Sequence, residues 1–244
     1  MITSDYLEQI VDFDQPILLV GPGADIIYED CGNAAIPMDR ALIYFAEKLH
    51  NNKGCLDVFD LPPDSYGGGH HNIDQVKKYI NNLKEKTNLG EINYIEGDIA
   101  VDKLSEKKYG FIWDHGTLSF WVGEDPDSEE TSTSLQNKRI EDTIKNYHSS
   151  LRDNGVIAIA TKKDKTSIIT NHLLPNLKIK QIKIEEDKYK TRLNAQTIFS
   201  AIYGDKYEDH FGPHKPAKEY SYLYEKGFLI PTYFEEIIIE LKKK

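Results

Sequence analysis

The stretch Ile17-Leu18-Leu19-Val20-Gly21-Pro22-Gly23-Ala24-Asp25 decides how this chain is read. Four consecutive apolar residues ending on a glycine suit a central strand buried on both sheet faces, so Ile17 to Val20 is taken as the first strand. The glycines that follow bring backbone close to a ligand. Without a Cβ, Gly21 and Gly23 let the chain turn tightly and present N–H groups to a carboxylate, ribose or phosphate. A dinucleotide fingerprint would place a third glycine where Ile26 stands, and a P-loop would need Gly-Lys followed by Ser or Thr, which is absent. The plainer alternative is an ordinary strand-to-helix turn.

Outward from that stretch, short apolar runs alternate with amphipathic ones, the signature of a parallel sheet crossed by helices. Leu42, Phe45, Ala46 and Leu49 repeat at helical spacing, with Pro37 suited to the first turn. Cys55 to Phe59 reads as a second strand closed by Asp60, and a helix with the stripe Val76, Tyr79, Ile80 and Leu83 is expected after Gly67 to Gly69. Ile92 to Ile95 and Phe111 to Trp113 read as the next two strands, the latter ending on Asp114. Ile140, Ile144, Tyr147 and Leu151 mark a helix stopped by Asp153, Asn154 and Gly155, and Val156 to Ala160 is a fifth strand. Ile179 to Ile184 and Glu235 to Leu241 alternate as a terminal strand pair.

Composition bounds the function. The chain of 244 residues is 39% hydrophobic and 29% charged, enough to bury a core as one domain spanning residues 1–244. No apolar run approaches the roughly 18 residues of a membrane helix, and Met1 to Glu8 lacks the basic start of a secretory leader. The expected compartment is the cytoplasm, without membrane partners. Thirty basic against forty acidic residues leave a net charge of −10, a field that repels phosphate backbones. The lysine-rich segment Lys162 to Arg192 keeps a local basic face, and so RNA, open. Cys31 and Cys55 show no metal-ligand spacing.

The acids sharpen the reading. Asp60 stands where a carboxylate can accept both hydroxyls of a ribose bound by the neighbouring glycine loop, with Asp57 as the alternative. The glycine-to-acid spacing is about 40 residues against roughly 20 in the dinucleotide pattern, so Tyr28 to Pro37 is expected to form an extra loop.

Taken in order, VGPGAD at Val20 to Asp25, LDVFD at Leu56 to Asp60, IEGDI at Ile95 to Ile99, FIWDHGTLSF at Phe111 to Phe120 and LRDNGVIAIAT at Leu151 to Thr161 resemble the class I S-adenosylmethionine-dependent methyltransferases. The resemblance covers about two-thirds of the chain, from Pro16 to Glu186. It implies a Rossmann-like α/β fold with a seven-stranded, mostly parallel sheet, an antiparallel last strand and helices on both faces. It also implies S-adenosyl-L-methionine as cofactor: Gly21 and Gly23 would shape the pocket, Asp25 would contact the methionine amine, Asp60 would bind the ribose, and Asp98 would meet the adenine amino group. Asp114 would sit where the methyl donor opens toward substrate. The usual acid just before the glycine loop is replaced by Leu19 and Val20, and DHGTLSFW is not the Asn/Asp-Pro-Pro-aromatic motif of nucleic-acid base methylases.

Asp114 and His115 are the candidate catalytic pair, because imidazole can take a substrate proton near neutral pH. Methyl transfer mainly requires proximity and orientation, which leaves a structural role for His115 open. Trp113, Phe120 and Trp121 could wall the adenine or be core aromatics. His70 and His71 are adjacent and cannot easily share an ion, and His210 and His214 flank a Gly-Pro turn, so no metal is expected. Tyr203, Tyr207, Tyr220, Tyr222, Tyr224 and Tyr233 fall in an insertion, residues 187–233, expected to be an aromatic-rich lid over the substrate or to supply packing. The expected activity is methyl transfer to a small-molecule or protein acceptor. The alternatives are an aminopropyltransferase-like enzyme on a cationic amine, favoured by the acidic charge, and a non-catalytic member of the fold. A nicotinamide oxidoreductase ranks last because of Ile26.

Overall fold

The computed structural model describes residues 7–21, 24–26, 35–37, 41–61, 77, 81, 88–104, 106–115, 117–118, 133–162, 166–172, 177–184, 188–190, 229–231 and 236–243. Its centre is β1 (Ile17–Val20), whose four residues are all buried. Burying an aliphatic side chain of this size is worth roughly 1.5–3 kcal/mol, which is why the unbroken apolar run sits in the middle of the sheet. β1 pairs in parallel with β4 (Leu56–Asp60) on one side and with β6 (Tyr109–His115) on the other. β5 (Ile92–Glu96) extends the sheet beyond β4, and β7 (Leu151–Lys162) lies parallel to β6.

The strands β8 (Leu177–Ile184) and β11 (Glu236–Lys243) complete seven strands in the order β5-β4-β1-β6-β7-β11-β8. β11 runs antiparallel to both of its neighbours. The sheet is therefore mostly parallel with an antiparallel last strand, and the expected terminal pair forms. Four short strands stand apart from it. β2 (Ala24–Ile26) pairs with β3 (Ala35–Pro37), and β9 (Lys188–Lys190) pairs with β10 (Leu229–Pro231), each antiparallel.

Helices cover both faces. α1 (Ala41–Leu49) buries Leu42, Tyr44, Phe45 and Leu49, and its Phe45 ring lies 5.8 Å from Phe111 and 6.3 Å from Trp113. α2 (Thr133–Ser150) packs Ile140, Ile144 and Tyr147 into the opposite core with Leu18, Val20, Ile112, Ile157 and Ile159. α3 (Thr166–Asn171) adds Ile169 to the same cluster. Alternate residues of β1 and β6 thus feed two different cores.

Two expectations need correction. Pro37 does not open a helix; it ends β3, opposite Ala24, on a two-stranded sheet where proline's missing donor is tolerated at an edge. Asp153, Asn154 and Gly155 do not separate helix from strand, because α2 ends at Ser150 and β7 begins at Leu151. They form a bulge, with four residues of β7 opposite the single Gly110 of β6 between the pairs Tyr109–Leu151 and Phe111–Val156. Asn154, at φ +61°, supplies the left-handed residue. Helix stops and bulges require the same backbone chemistry. The Val76 to Leu83 helix lies outside the described residues apart from helical positions 77 and 81.

Candidate functional site

Strand order reverses at β1: the chain moves to one side for β4 and β5, then returns to the other for β6. Open α/β sheets hold ligands in the crevice outside the strand ends at such a switch point. Gly21 occupies that point. Its φ of +63° turns the chain out of the sheet directly after Val20, and its N–H donates to the Phe59 carbonyl at 2.8 Å. A Cβ built on Gly21 would lie 2.0 Å from the Thr117 hydroxyl oxygen. Both the conformation, which costs an ordinary residue roughly 1–2 kcal/mol, and the filled space demand glycine here.

Asp60 ends β4 one position beyond the Val20–Phe59 pair. It is 9% exposed, and its Oδ1 accepts the Leu61 N–H at 2.8 Å. Its carbonyl accepts the Gly97 N–H at 3.0 Å, which ties the exit of β5 to that of β4. Asp57 lies three residues earlier and so on the opposite face. Its carboxylate takes hydrogen bonds from Lys107 at 2.9 Å, Asn93 at 2.9 Å and Tyr109 at 2.8 Å. Asp60 is therefore the acid of β4 that reaches the switch-point edge.

Asp98 heads the turn after β5. Its carbonyl accepts the N–H groups of Val101 and Asp102 at 2.9 and 2.7 Å, while Oδ1 caps the Ala100 N–H at 3.0 Å. Oδ2 meets the Arg139 guanidinium at 2.5 Å in a pair that is only 20% and 26% exposed. The Asn146 side-chain amide donates to the Ile99 carbonyl at 2.7 Å and to that of Asp102 at 3.1 Å. Arg139 and Asn146 are two turns apart on α2, so one face of that helix grips the whole turn. Sequence reasoning missed both. Their signal was the row Arg139, Thr143 and Asn146 running beside the apolar stripe Ile140, Ile144 and Tyr147.

Asp114 is fully buried. Its Oδ1 accepts the Thr117 N–H at 2.8 Å, and Oδ2 accepts the Tyr147 hydroxyl at 2.9 Å and the Leu118 N–H at 3.3 Å. Burial, followed by the charge and hydrogen bond of Asp114, pushes the Tyr147 phenol well above its ordinary range, so it stays an O–H donor. The Asp114 oxygens thus cap the turn that sets Thr117 against Gly21. Thr117 was also missed, although a residue three after an acid is the one a capping carboxylate holds. Trp113 is likewise fully buried, in the aromatic core of α1.

Asp25 is the middle residue of β2, opposite Ile36, and His115 ends β6 opposite Ala160. The side chain of His115 lies outside the described residues, as do Gly23, Phe120, Trp121, the paired histidines and the tyrosines of the insertion. Within 187–233 only β9 and β10 are described, and they pair near its two ends. Among the described residues no group of three or more His, Cys, Asp or Glu side chains gathers to hold a metal ion, and no helix is long and apolar enough to cross a membrane.

No protein-family model matches the chain, and neither does any curated protein. Solved structures do. TrmN from Thermus thermophilus aligns over 100% of this chain and 48% of its own, with a TM-score of 0.51 at 9% identity. A TehB-like SAM-dependent methyltransferase from Corynebacterium glutamicum aligns over 99% of this chain and 86% of its own, with a TM-score of 0.45 at 13% identity. The N-methyltransferase NodS from Bradyrhizobium japonicum, solved with S-adenosyl-L-homocysteine, aligns over 98% and 86%, with a TM-score of 0.42 at 12% identity. TrmN thus shares the fold of this chain, whose mostly parallel seven-stranded sheet with an antiparallel last strand is the arrangement that the resemblance to class I S-adenosylmethionine-dependent methyltransferases implies.

Proposed function

We propose that the chain binds S-adenosyl-L-methionine at the switch-point edge and transfers its methyl group to a small-molecule or protein acceptor. The observation that carries this reading is the meeting of Gly21, Asp60 and Asp98 at three neighbouring strand ends, in the order the resemblance requires. With Thr117 beside β6, the edge crosses four strands, about 14 Å at roughly 4.8 Å per strand, which suits an extended nucleoside bearing an amino-acid tail.

The donor set fits that cofactor. Asp60, oriented by the Leu61 N–H, offers carboxylate oxygen to the ribose hydroxyls, and the Asp98 turn, braced by Arg139 and Asn146, serves the adenine. Gly21 leaves the approach free of side chain, and Gly23 and Asp25, which follow it in sequence, are assigned to the amino-acid end by the resemblance. The cofactor, when bound, supplies an electrophilic methyl carbon on a sulfonium. The protein's share is to hold and align, which is most of what an in-line displacement needs. His115, following Asp114 at the edge, is assigned to take the proton that an acceptor N–H or O–H gives up.

Incubation with S-adenosyl-L-methionine and a panel of amines, phenols and small proteins tests the reading. Acceptor-dependent S-adenosyl-L-homocysteine is expected, with a lower kcat for His115→Ala. Wild-type turnover in that variant would remove the base, and absence of homocysteine product across the panel would count against methyl transfer. The net charge of −10 favours one second reading, aminopropyl transfer from the decarboxylated form of the cofactor to a cationic amine, which would release methylthioadenosine instead.

A further inference from the structure

At the other end of the strands, Cys55 precedes β4 and is half-buried, and Lys107 precedes β6 with its side chain 31% exposed. Lys107 Nζ lies 2.8 Å from Cys55 Sγ and 2.9 Å from each Asp57 oxygen. The Lys107 nitrogen therefore touches both a sulfur and a carboxylate, and Cys55 and Lys107 are within reach of a small solute. The methyl-transfer reading uses none of them.

We propose that Cys55 and Lys107 form a peroxide-responsive modification site, in which oxidised Cys55 becomes joined to Lys107 by a sulfur–nitrogen bond. Hydrogen peroxide gives one oxygen to the thiol: an S–O bond forms, the O–O bond breaks, sulfur is oxidised and the second peroxide oxygen leaves as water. The product is a sulfenic acid, which condenses with a nearby nitrogen. Lys107 passes an ammonium proton to Asp57, and the amine attacks sulfur. The N–S bond forms as the S–O bond breaks, and the hydroxyl leaves as water with a proton. One thiol, one ammonium and one peroxide give one sulfenamide, two waters and one released proton.

The geometry favours this fate over further oxidation. The nitrogen already touches the sulfur, so condensation is intramolecular and needs no approach step. Burial lowers the Lys107 ammonium, but hydrogen bonds to Cys55 and Asp57 and the Asp57 charge outweigh it and hold the group above its ordinary value. The amine must therefore be generated by a base in contact, the position Asp57 occupies. The new bond would close a loop between residues 52 apart in sequence, and cross-links over long loops stabilise the folded chain by restricting the unfolded one.

The test uses Cys31→Ser protein, which removes the chain's other cysteine and with it any disulfide within the chain. After dilute hydrogen peroxide, intact mass is expected to fall by about 2 Da, the loss of two hydrogens on sulfenamide formation. Peptide mapping should join Cys55 to Lys107, the Tm should rise, and dithiothreitol should reverse all three. Lys107→Arg keeps a cation beside Asp57 but does not condense, so its oxidised Cys55 should instead add dimedone. A linked mass that persists in Lys107→Arg, or treated protein carrying only sulfinic acid or unreacted thiol at Cys55, would overturn the proposal.

Discussion

The two ends of the central strands handle buried charge differently. Near the start of β4, Asp57 is 3% exposed and is satisfied by three side chains from two segments: Lys107 and Tyr109 at the entry of β6, and Asn93 of β5. At the opposite edge, Asp60 and Asp98 take backbone N–H groups of the turns they begin, and Asp98 adds Arg139. Side-chain partners close a site around the acid and knit strands together. Backbone caps shape a loop, and leave it at the rim where a ligand can meet it. The same residue type thus builds a knot of side chains at one end and capped turns at the other.

The largest effect should come from breaking the knot. Asp57→Ala strands the Lys107 ammonium and the Tyr109 hydroxyl, and is expected to cost about 2–4 kcal/mol, less than a fully buried pair because Lys107 retains some solvent. Urea denaturation reads that loss, and a shift near zero would mean the cluster is already solvated. Gly21→Val comes next: a β-branched residue at φ +63° meets both strain and the Thr117 hydroxyl, so S-adenosyl-L-methionine binding should vanish with a stability loss of roughly 1–2 kcal/mol. Retained affinity would detach that loop from the site.

Tyr147→Phe removes one donor from the buried Asp114 carboxylate and should cost about 1–3 kcal/mol. If Asp114 only positions Thr117, the KM for the cofactor should rise while kcat for bound substrate holds. The smallest effect concerns pH. Burial, then the charges of Lys243 and Lys108, keeps the His148 imidazole below its ordinary 6.5. The unfolded chain therefore takes up that proton first, so this contribution to stability is intact above pH 6.5 and declines as pH falls below it. His148→Gln should flatten the slope of Tm between about pH 7 and 5, and an unchanged slope would assign it to other groups.

Legibility in the sequence followed the same divide. β1 could be read because four apolar residues and a glycine allow little else, and acids at strand ends are visible wherever strands are. Which acid faces the edge was harder. Periodicity puts Asp57 and Asp60 on opposite faces, but only the partners Lys107, Asn93 and Tyr109, up to 52 residues away, show which face is sealed. Asp114 was legible at the end of β6, while the hydrogen bond it accepts from Tyr147 depends on how α2 docks. Arg139 and Asn146 stayed hidden because they act on a distant turn. The Asn154 bulge was taken for a helix stop because both need a left-handed residue.

The most direct test is calorimetric titration of S-adenosyl-L-methionine into the wild-type protein and into Asp60→Ala, with NAD as the control ligand. Micromolar binding by the wild type, weakened about tenfold or more in Asp60→Ala by the loss of charged hydrogen bonds to the ribose and absent for NAD, is the expected result. Equal affinity in the two proteins, or no binding by the wild type, would contradict the assignment of the switch-point edge as the cofactor site.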